Sequence, residues 1–95
     1  MTVNVYRTPG DTTENVIHAG RCRLLGIYPE LASNTGTVTI RNTATAAAGT
    51  ATHICAIGLL AAGKTFGPNG VLLDTGLTVQ LSVATDLCAI VWEAV

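Results

Sequence analysis

The sequence predicts an all-β fold, with about eight short strands in a compact antiparallel β-sandwich or jelly-roll-like barrel, as one domain over residues 1–95. Turn-forming residues recur roughly every ten positions, the spacing typical of sandwiches and barrels. Between the turns, apolar residues either alternate with polar ones or run continuously, as in strands. No segment has a convincing helical pattern, and no linker or repeat divides the chain.

The N-terminal part contains four predicted strands. In the first, Val3 and Val5 alternate with polar or aromatic residues until Thr, Pro, Gly and Asp at 8–11 end it. Gly26 interrupts the apolar third strand and is predicted to mark a β-bulge, and Pro29 closes that strand. The predicted strands are 2–7, 14–19, 21–28 and 37–42.

The middle of the chain is ambiguous at 43–51, where alanines permit a helix but Thr and Gly weaken it. We interpret this segment as a loop with at most one helical turn. Residues 52–61 follow as a longer strand that is apolar on both faces. Residues 63–70, which include Pro68, are predicted to form a turn-rich connector.

Three short strands are predicted to close the chain, at 70–74, 75–82 and 87–93. Leu77, Val79 and Leu81 alternate with polar residues, which indicates a strand with one buried face. The last strand is apolar on both faces and must be covered on both sides. Its own fold or another copy of the chain would provide that cover.

The composition also favours assembly. Hydrophobic residues make up 48% of the chain and charged residues only 12%, with a mean hydropathy of +0.46. Ordinary domains carry about twice that charged fraction. A surface rich in Thr, Ala and Gly is one explanation, and burial of part of the surface in an oligomer is the favoured one. The candidate interface residues are Cys55, Ile57, Leu59, Leu87, Ala89, Val91 and Trp92.

Charge and hydropathy argue against nucleic-acid and membrane partners. The net charge is −1, and the five Lys and Arg residues are scattered along the chain. The N-terminus has neither the basic nor the apolar region of a signal peptide. The most apolar stretch, 44–62, contains Thr, His and Gly, so we do not expect a membrane span.

No constellation of catalytic residues is found in the sequence, so we expect no enzyme activity and no cofactor. Ser33 and Ser82 are the only serines, and neither occupies a G-x-S-x-G elbow. The segment 58–65, GLLAAGKT, matches a phosphate-binding loop formally. Pro68 and its neighbouring glycines prevent the helix that such a loop requires, so nucleotide binding through Lys64 is not expected.

Cysteine and histidine residues supply metal-ligand types without metal-ligand spacing. Cys22, Cys55, Cys88, His18 and His53 form no C-x-x-C or H-x-x-x-H pair, so no metal site is predicted. Free buried thiols in a reducing compartment are the favoured interpretation, and one disulfide with one free thiol stays open.

Aromatic residues leave a second function class open. Trp92, Tyr6 and Tyr28 are candidate stacking platforms for a sugar, so a carbohydrate-binding β module is the alternative to an assembly protein. Such a module needs an exposed aromatic ring flanked by polar groups. On a strand that is apolar on both faces, however, Trp92 fits a core or interface position better.

Four segments of the chain carry a family resemblance. They are IHAGRCRLLGIYPE (17–30), GTVTIRN (36–42), FGPNGVLLDTGLTVQLS (66–82) and LCAIVWE (87–93). In this order they resemble a group of small β-sandwich structural proteins of tailed bacteriophages. Asn42 stands where Asp is common in that group, and cysteine is not part of its pattern.

The resemblance implies a virion component without catalytic residues. A capsid decoration or cement protein, or a head-fibre-like protein, is the expected role, with a head–tail or tail accessory protein as an alternative. It implies a homo-oligomer, with a trimer as the first expectation, that binds the major capsid protein. The chain would be made in the bacterial host cytoplasm and end on the capsid surface of the virion.

Overall fold

The computed structural model describes residues 2–8, 10–31, 33–45, 53–58 and 63–95. This part of the chain is all-β and contains no helix, so the predicted fold class is confirmed. Each of the eight predicted strands overlaps one observed strand, and β6 is additional. The strands are β1 (Val3–Arg7), β2 (Asn15–Ala19), β3 (Cys22–Pro29), β4 (Thr37–Arg41), β5 (His53–Gly58), β6 (Lys64–Thr65), β7 (Val71–Leu73), β8 (Gly76–Leu81) and β9 (Cys88–Ala94).

The strands form two antiparallel sheets with jelly-roll connectivity. The five-stranded sheet has the order β1-β9-β3-β6, with β7 also paired to β3, and the four-stranded sheet has the order β2-β8-β4-β5. Because β7 pairs with β3 at Cys22–Leu24 and β6 pairs with it at Gly26 and Ile27, β6 and β7 act as one interrupted strand. Counted that way, the two sheets have the strand order of an eight-stranded jelly roll.

The hydrophobic core lies between the two sheets. The predicted buried face of β8 is confirmed, since Leu77, Val79 and Leu81 are all buried. Thr78 is buried as well, and its hydroxyl is satisfied there by the hydrogen bond that it donates to the Thr43 carbonyl at 2.9 Å. The other core members are Cys22, Leu24, Ile27, Val38, Ile40, Leu73, Cys88 and Ile90.

A bulge in β3 shapes the five-stranded sheet. The pairing of β3 with β9 shifts register between Leu24 and Gly26, which confirms the bulge predicted there. The carbonyl of Leu25 accepts a hydrogen bond from the Phe66 N–H at 2.9 Å. The connection between β6 and β7 therefore supplies a hydrogen-bond donor to the carbonyl at the bulge.

The connector 63–70 differs from its prediction, because it begins with the short strand β6. Lys64 and Thr65 pair with Ile27 and Gly26 of β3, whose edge would otherwise lack backbone partners at this point. The sequence gives little sign of this strand, since two residues are too few to show a period. In the predicted 43–51 loop, the described residues 43–45 are not helical. The rest of that loop lies outside the described residues, as do 52 and 59–61 of the strand predicted at 52–61.

We expect the Gly70→Ala variant to lose about 1–3 kcal/mol of unfolding free energy, measured by urea denaturation. Gly70 has φ +74°, and an added Cβ would lie 2.7 Å from the Leu24 carbonyl oxygen. Gly58→Ala is the matched control, because a Cβ there meets nothing within 4 Å. Equal stability of both variants and the unchanged chain would contradict this account of the turn.

Candidate interaction surface

The two outer faces of the sandwich differ in chemistry. On the four-stranded sheet, the described side chains of β2, β4 and β8 form a polar face. Arg41 Nη1 lies 3.4 Å from Glu14 Oε1 and donates a hydrogen bond to Gln80 Oε1 at 3.1 Å. Gln80 Nε2 in turn donates to the Thr12 carbonyl at 3.1 Å. These polar groups satisfy one another within the chain, so this face offers few unused contacts. Among the described residues of this face, Val16 is a large apolar side chain that is exposed.

The outer face of the five-stranded sheet carries several exposed apolar side chains. We call it the five-strand face and define it by Val3, Val5, Tyr28, Leu72 and Val91. The fractional exposures are 55% for Val3, 54% for Val5, 44% for Leu72 and 38% for Tyr28, and Val91 is half-buried. These residues come from four strands of one sheet and lie on the same face of it.

Cross-strand register brings the members of the five-strand face together. Val5 of β1 lies opposite Val91 of β9, and Val91 lies opposite Gly26 of β3. A second row across the sheet runs from Val3 through Glu93 and Arg23 to Leu72, each opposite the next. Residues directly opposite each other in antiparallel strands have neighbouring side chains, so the apolar groups flank a short polar patch.

Tyr28 is held on this face by its neighbours. A Cβ on Gly26 would lie 2.6 Å from the Tyr28 hydroxyl, and one on Gly63 would lie 2.5 Å from Tyr28 Cδ1, so the ring lies against both glycines. The hydroxyl shares a 2.8 Å hydrogen bond with Thr65 Oγ1. The ring is therefore fixed with part of its surface open to a partner.

The charged groups on the five-strand face occur as opposite pairs. Arg23 Nη1 lies 3.9 Å from Glu93 Oε1, and Arg7 Nε lies 3.1 Å from Glu30 Oε1. Exposed pairs of this kind add little to stability. They do leave the face without excess charge of either sign, which suits an apolar contact with another protein surface.

The predicted interface residues of the last strand fall on different sides of the structure. Val91 lies on the five-strand face. Ala89 points to the same side but is buried, with an exposure of only 7%. Leu87 is half-buried in the loop before β9, and Trp92 points inward, with its ring centroid 4.8 Å from that of His18.

The predicted interface residues around β5 are only partly described. Cys55 pairs in register with Ile40, and Ile57 pairs with Val38. The side chains of Cys55 and Ile57, and all of Leu59, lie outside the described residues.

Sequence reasoning missed Val3, Val5 and Leu72 of the five-strand face, and it proposed Tyr28 only as a stacking platform for a sugar. Alternation in β1 does identify two faces, but Tyr6 packs its ring on the core and so turns the valines outward. For Leu72, the following Leu73 takes the core position. The usable signal is the absence of a charged residue in β1 before Arg7.

Buried polar side chains fix the loops at one end of the sandwich. The Asn34 side chain donates to the Leu87 carbonyl at 2.9 Å and accepts from the Leu87 N–H at 2.8 Å. Asp86 accepts hydrogen bonds from the N–H groups of Thr35 at 3.1 Å and Gly36 at 2.7 Å. The β3–β4 loop is thereby tied to the β8–β9 loop, which positions the start of β9.

Cys22 and Cys88 are free, buried thiols of the core, as the favoured interpretation predicted. The Cys55 side chain lies outside the described residues. Burial raises the pKa of the Cys22 thiol. Burial also raises the pKa of Cys88 from the ordinary 9.0 to about 11. The Thr8 hydrogen bond lowers this pKa by a smaller amount, and the nearby carboxylates of Glu30 and Asp86 raise it further.

We expect alkylation of Cys88 at pH 8 to be at least about a hundredfold slower in the folded chain than in urea. The thiolate is the reacting species, and a higher pKa lowers its fraction at that pH. Iodoacetamide labelling followed by peptide mass spectrometry measures the rate at each cysteine. Equal labelling of Cys88 with and without urea would contradict the buried, protonated thiol.

Other kinds of site are not found in the part of the chain that the structure describes. It holds no pocket and no group of three or more potential metal ligands. None of its elements is a helix long and apolar enough to cross a membrane. Lys64 Nζ lies 5.5 Å from the Phe66 ring centroid, and a turn follows β6 where a phosphate loop would continue into a helix.

Comparisons of this chain with protein-family models, with curated proteins and with solved structures give no match. The fold is therefore assigned from the strand order and register given above. The candidate function depends on the five-strand face and on the sequence resemblance.

Proposed function

We propose that this chain is a non-enzymatic structural protein of a tailed-bacteriophage virion. In this proposal it is a decoration or cement protein that oligomerises and binds the major capsid protein on the capsid surface. The observation that carries the proposal is the five-strand face, where exposed apolar side chains lie beside charge pairs of opposite sign. The resemblance of the sequence to small phage structural proteins supplies the identity of the partner.

The physical basis of binding would be repetition of modest contacts. Full burial of one Val or Leu side chain contributes about 1.5–3 kcal/mol, and the exposed residues of this face are already partly covered. One copy would therefore bind weakly after the entropy of association is subtracted. An oligomer on a symmetric shell makes the same contact several times, and avidity raises the overall affinity.

The thiols are consistent with synthesis in a bacterial cytoplasm, followed by assembly on the virion. Cys22 and Cys88 are reduced and buried in the core, where they act as small apolar side chains. Proteins made in reducing compartments commonly keep thiols in this form.

A carbohydrate-binding module is the second candidate function, and Tyr28 is the observation that favours it. Its ring is partly exposed and fixed by Thr65, with Lys64 on the same short strand. Trp92, the strongest stacking residue of the chain, instead contacts His18. Saturable binding of a glycan array that is lost in Tyr28→Ala would favour this alternative over the virion role.

The virion role is tested by co-sedimentation. The gene for this chain is deleted from the phage that normally encodes it, and heads are purified from that mutant. The purified protein is then added back to the heads. We expect saturable binding at a fixed ratio of this chain to the major capsid protein. Absence of binding to heads at micromolar concentration would contradict the proposal, and binding to isolated tails alone would favour the tail accessory alternative.

A further inference from the structure

We propose that strand β1 pairs with β1 of a second copy of this chain, antiparallel and across a two-fold axis that passes beside Val5. Such a contact joins two five-stranded sheets into one continuous sheet. β1 is the outer strand of its sheet, and among the described residues it pairs with β9 alone. An open strand edge of this kind is a template for pairing with another strand.

The direction of the unused backbone groups follows from the pairing with β9. The Thr8 N–H donates to the Cys88 carbonyl at 3.1 Å, which makes Thr8 and Cys88 a hydrogen-bonded pair. Hydrogen-bonded and non-hydrogen-bonded pairs alternate along antiparallel strands. Tyr6 and Asn4 are therefore bonded to β9 as well, and the N–H and C=O groups of Val3, Val5 and Arg7 point to the open edge.

These outward groups are self-complementary about Val5. Antiparallel pairing centred there places Val5 opposite Val5 of the second copy, and Val3 opposite Arg7 of the second copy. Each outward residue then meets an outward residue, so every one of these N–H groups finds a carbonyl across the axis. A shift by one residue would place outward groups opposite inward ones and lose all of these bonds.

Side chains on the five-strand face agree with this register. A continuous apolar row forms from Val91 and Val5 of one copy to Val5 and Val91 of the other. Arg7 of the second copy falls beside Val3, on the same row as Glu93 and about 10 Å from it by strand spacing. Glu93 of one copy and Arg7 of the other, which carry opposite charges, therefore lie on either side of Val3, and the two-fold axis repeats this arrangement once.

The other sheet edges are less suited to pairing. β2 has a register irregularity between Val16 and His18, and the pairing of β5 with β4 is irregular at Arg41. The edge formed by β6 and β7 is broken by a turn. Bulges and short strands of this kind protect edges, whereas β1 pairs regularly with β9 over all five residues and contains no Pro or Lys.

A two-fold contact produces assemblies with an even number of chains. We therefore expect a dimer, or a multiple of two, in place of the trimer implied by the family resemblance. The joined sheet would also present two five-strand faces side by side, which doubles the surface offered to one partner.

The inference is tested on the purified chain by light scattering and by cross-linking. We expect a mass of two chains, or an even multiple, and rapid disulfide formation between copies of a Val5→Cys variant under mild oxidation. Residues opposite each other in a hydrogen-bonded pair have Cα atoms about 5.5 Å apart, within disulfide reach. Cys55→Ser is included in the background, and Val16→Cys, similarly exposed on the other sheet, is the control expected not to cross-link.

A Val5→Pro variant blocks the open edge while sparing the pairing with β9, since the Val5 N–H is not bonded to β9. We expect its dimer dissociation constant to rise at least about a hundredfold. Circular dichroism checks that the β-fold is retained, and Val5→Lys, which brings two cations together at the axis, serves if the proline variant fails to fold. Three results would overturn the inference: a monomeric unchanged chain, an odd-numbered assembly, or dimers that persist in both of these variants while the Val5→Cys variant fails to cross-link.

The two proposals fail separately. A β1-paired dimer that does not bind phage heads would support this inference and contradict the virion role. A monomer that binds heads would do the reverse.

Discussion

The Asn34→Ala variant is expected to lose about 3 kcal/mol of unfolding free energy, which lowers the melting temperature by roughly 12–24 °C for a domain of this size. Asn34 is fully buried and satisfies both backbone groups of Leu87. Alanine leaves the Leu87 N–H without a partner, leaves the carbonyl with the Glu30 N–H alone at 2.9 Å, and opens space at the start of β9. Thermal unfolding followed by circular dichroism measures the change.

Asn69→Ala is the matched control for Asn34, because it is the same substitution in an exposed turn. It is expected to change the unfolding free energy by less than about 0.5 kcal/mol. A loss at Asn34 no larger than this control would show that the amide does not hold the two loops together.

The Leu72→Lys variant is expected to weaken binding to phage heads by about tenfold to a hundredfold per contact, with little change in stability or in β1 pairing. Leu72 is exposed on the five-strand face, so a lysine there reaches water in the free chain, and the like charge of Arg23 on the neighbouring strand costs only about 0.2–1 kcal/mol. In the bound state the ammonium group would be buried against an apolar partner. β7 is separated from β1 by β3 and β9, which keeps this site apart from the open edge.

Val16→Lys is the control for Leu72, since Val16 is similarly exposed on the face of the four-stranded sheet. It is expected to bind heads like the unchanged chain in the same co-sedimentation measurement. Full binding by Leu72→Lys, or an equal loss in Val16→Lys, would contradict the assignment of the five-strand face as the docking surface.

Strand positions were predictable here because turn-forming residues separate segments in which apolar and polar residues alternate. Leu77, Val79 and Leu81 lie in the core as their alternation indicated, and the bulge falls between Leu24 and Gly26. Both features depend on local sequence, the first on side-chain alternation and the second on the lack of a side chain.

The candidate surface was less predictable, because local pattern does not say which face of a strand meets the other sheet. Val3 and Val5 resemble core residues, yet Tyr6 occupies the inner side of β1. Trp92 was a candidate for the interface, but the approach of β2 brings His18 against its ring. Asn34 lies in a polar turn and gives no sequence sign that it bonds to Leu87, 53 residues away.

The most direct test of the virion role is a cryo-electron microscopy comparison of phage heads with and without the bound protein. The account predicts extra density at repeated positions on the capsid surface that fits the two-sheet sandwich, with Val3, Val5, Tyr28, Leu72 and Val91 facing the shell. Heads without added density, or density that contacts the shell through the polar face of the four-stranded sheet, would contradict it.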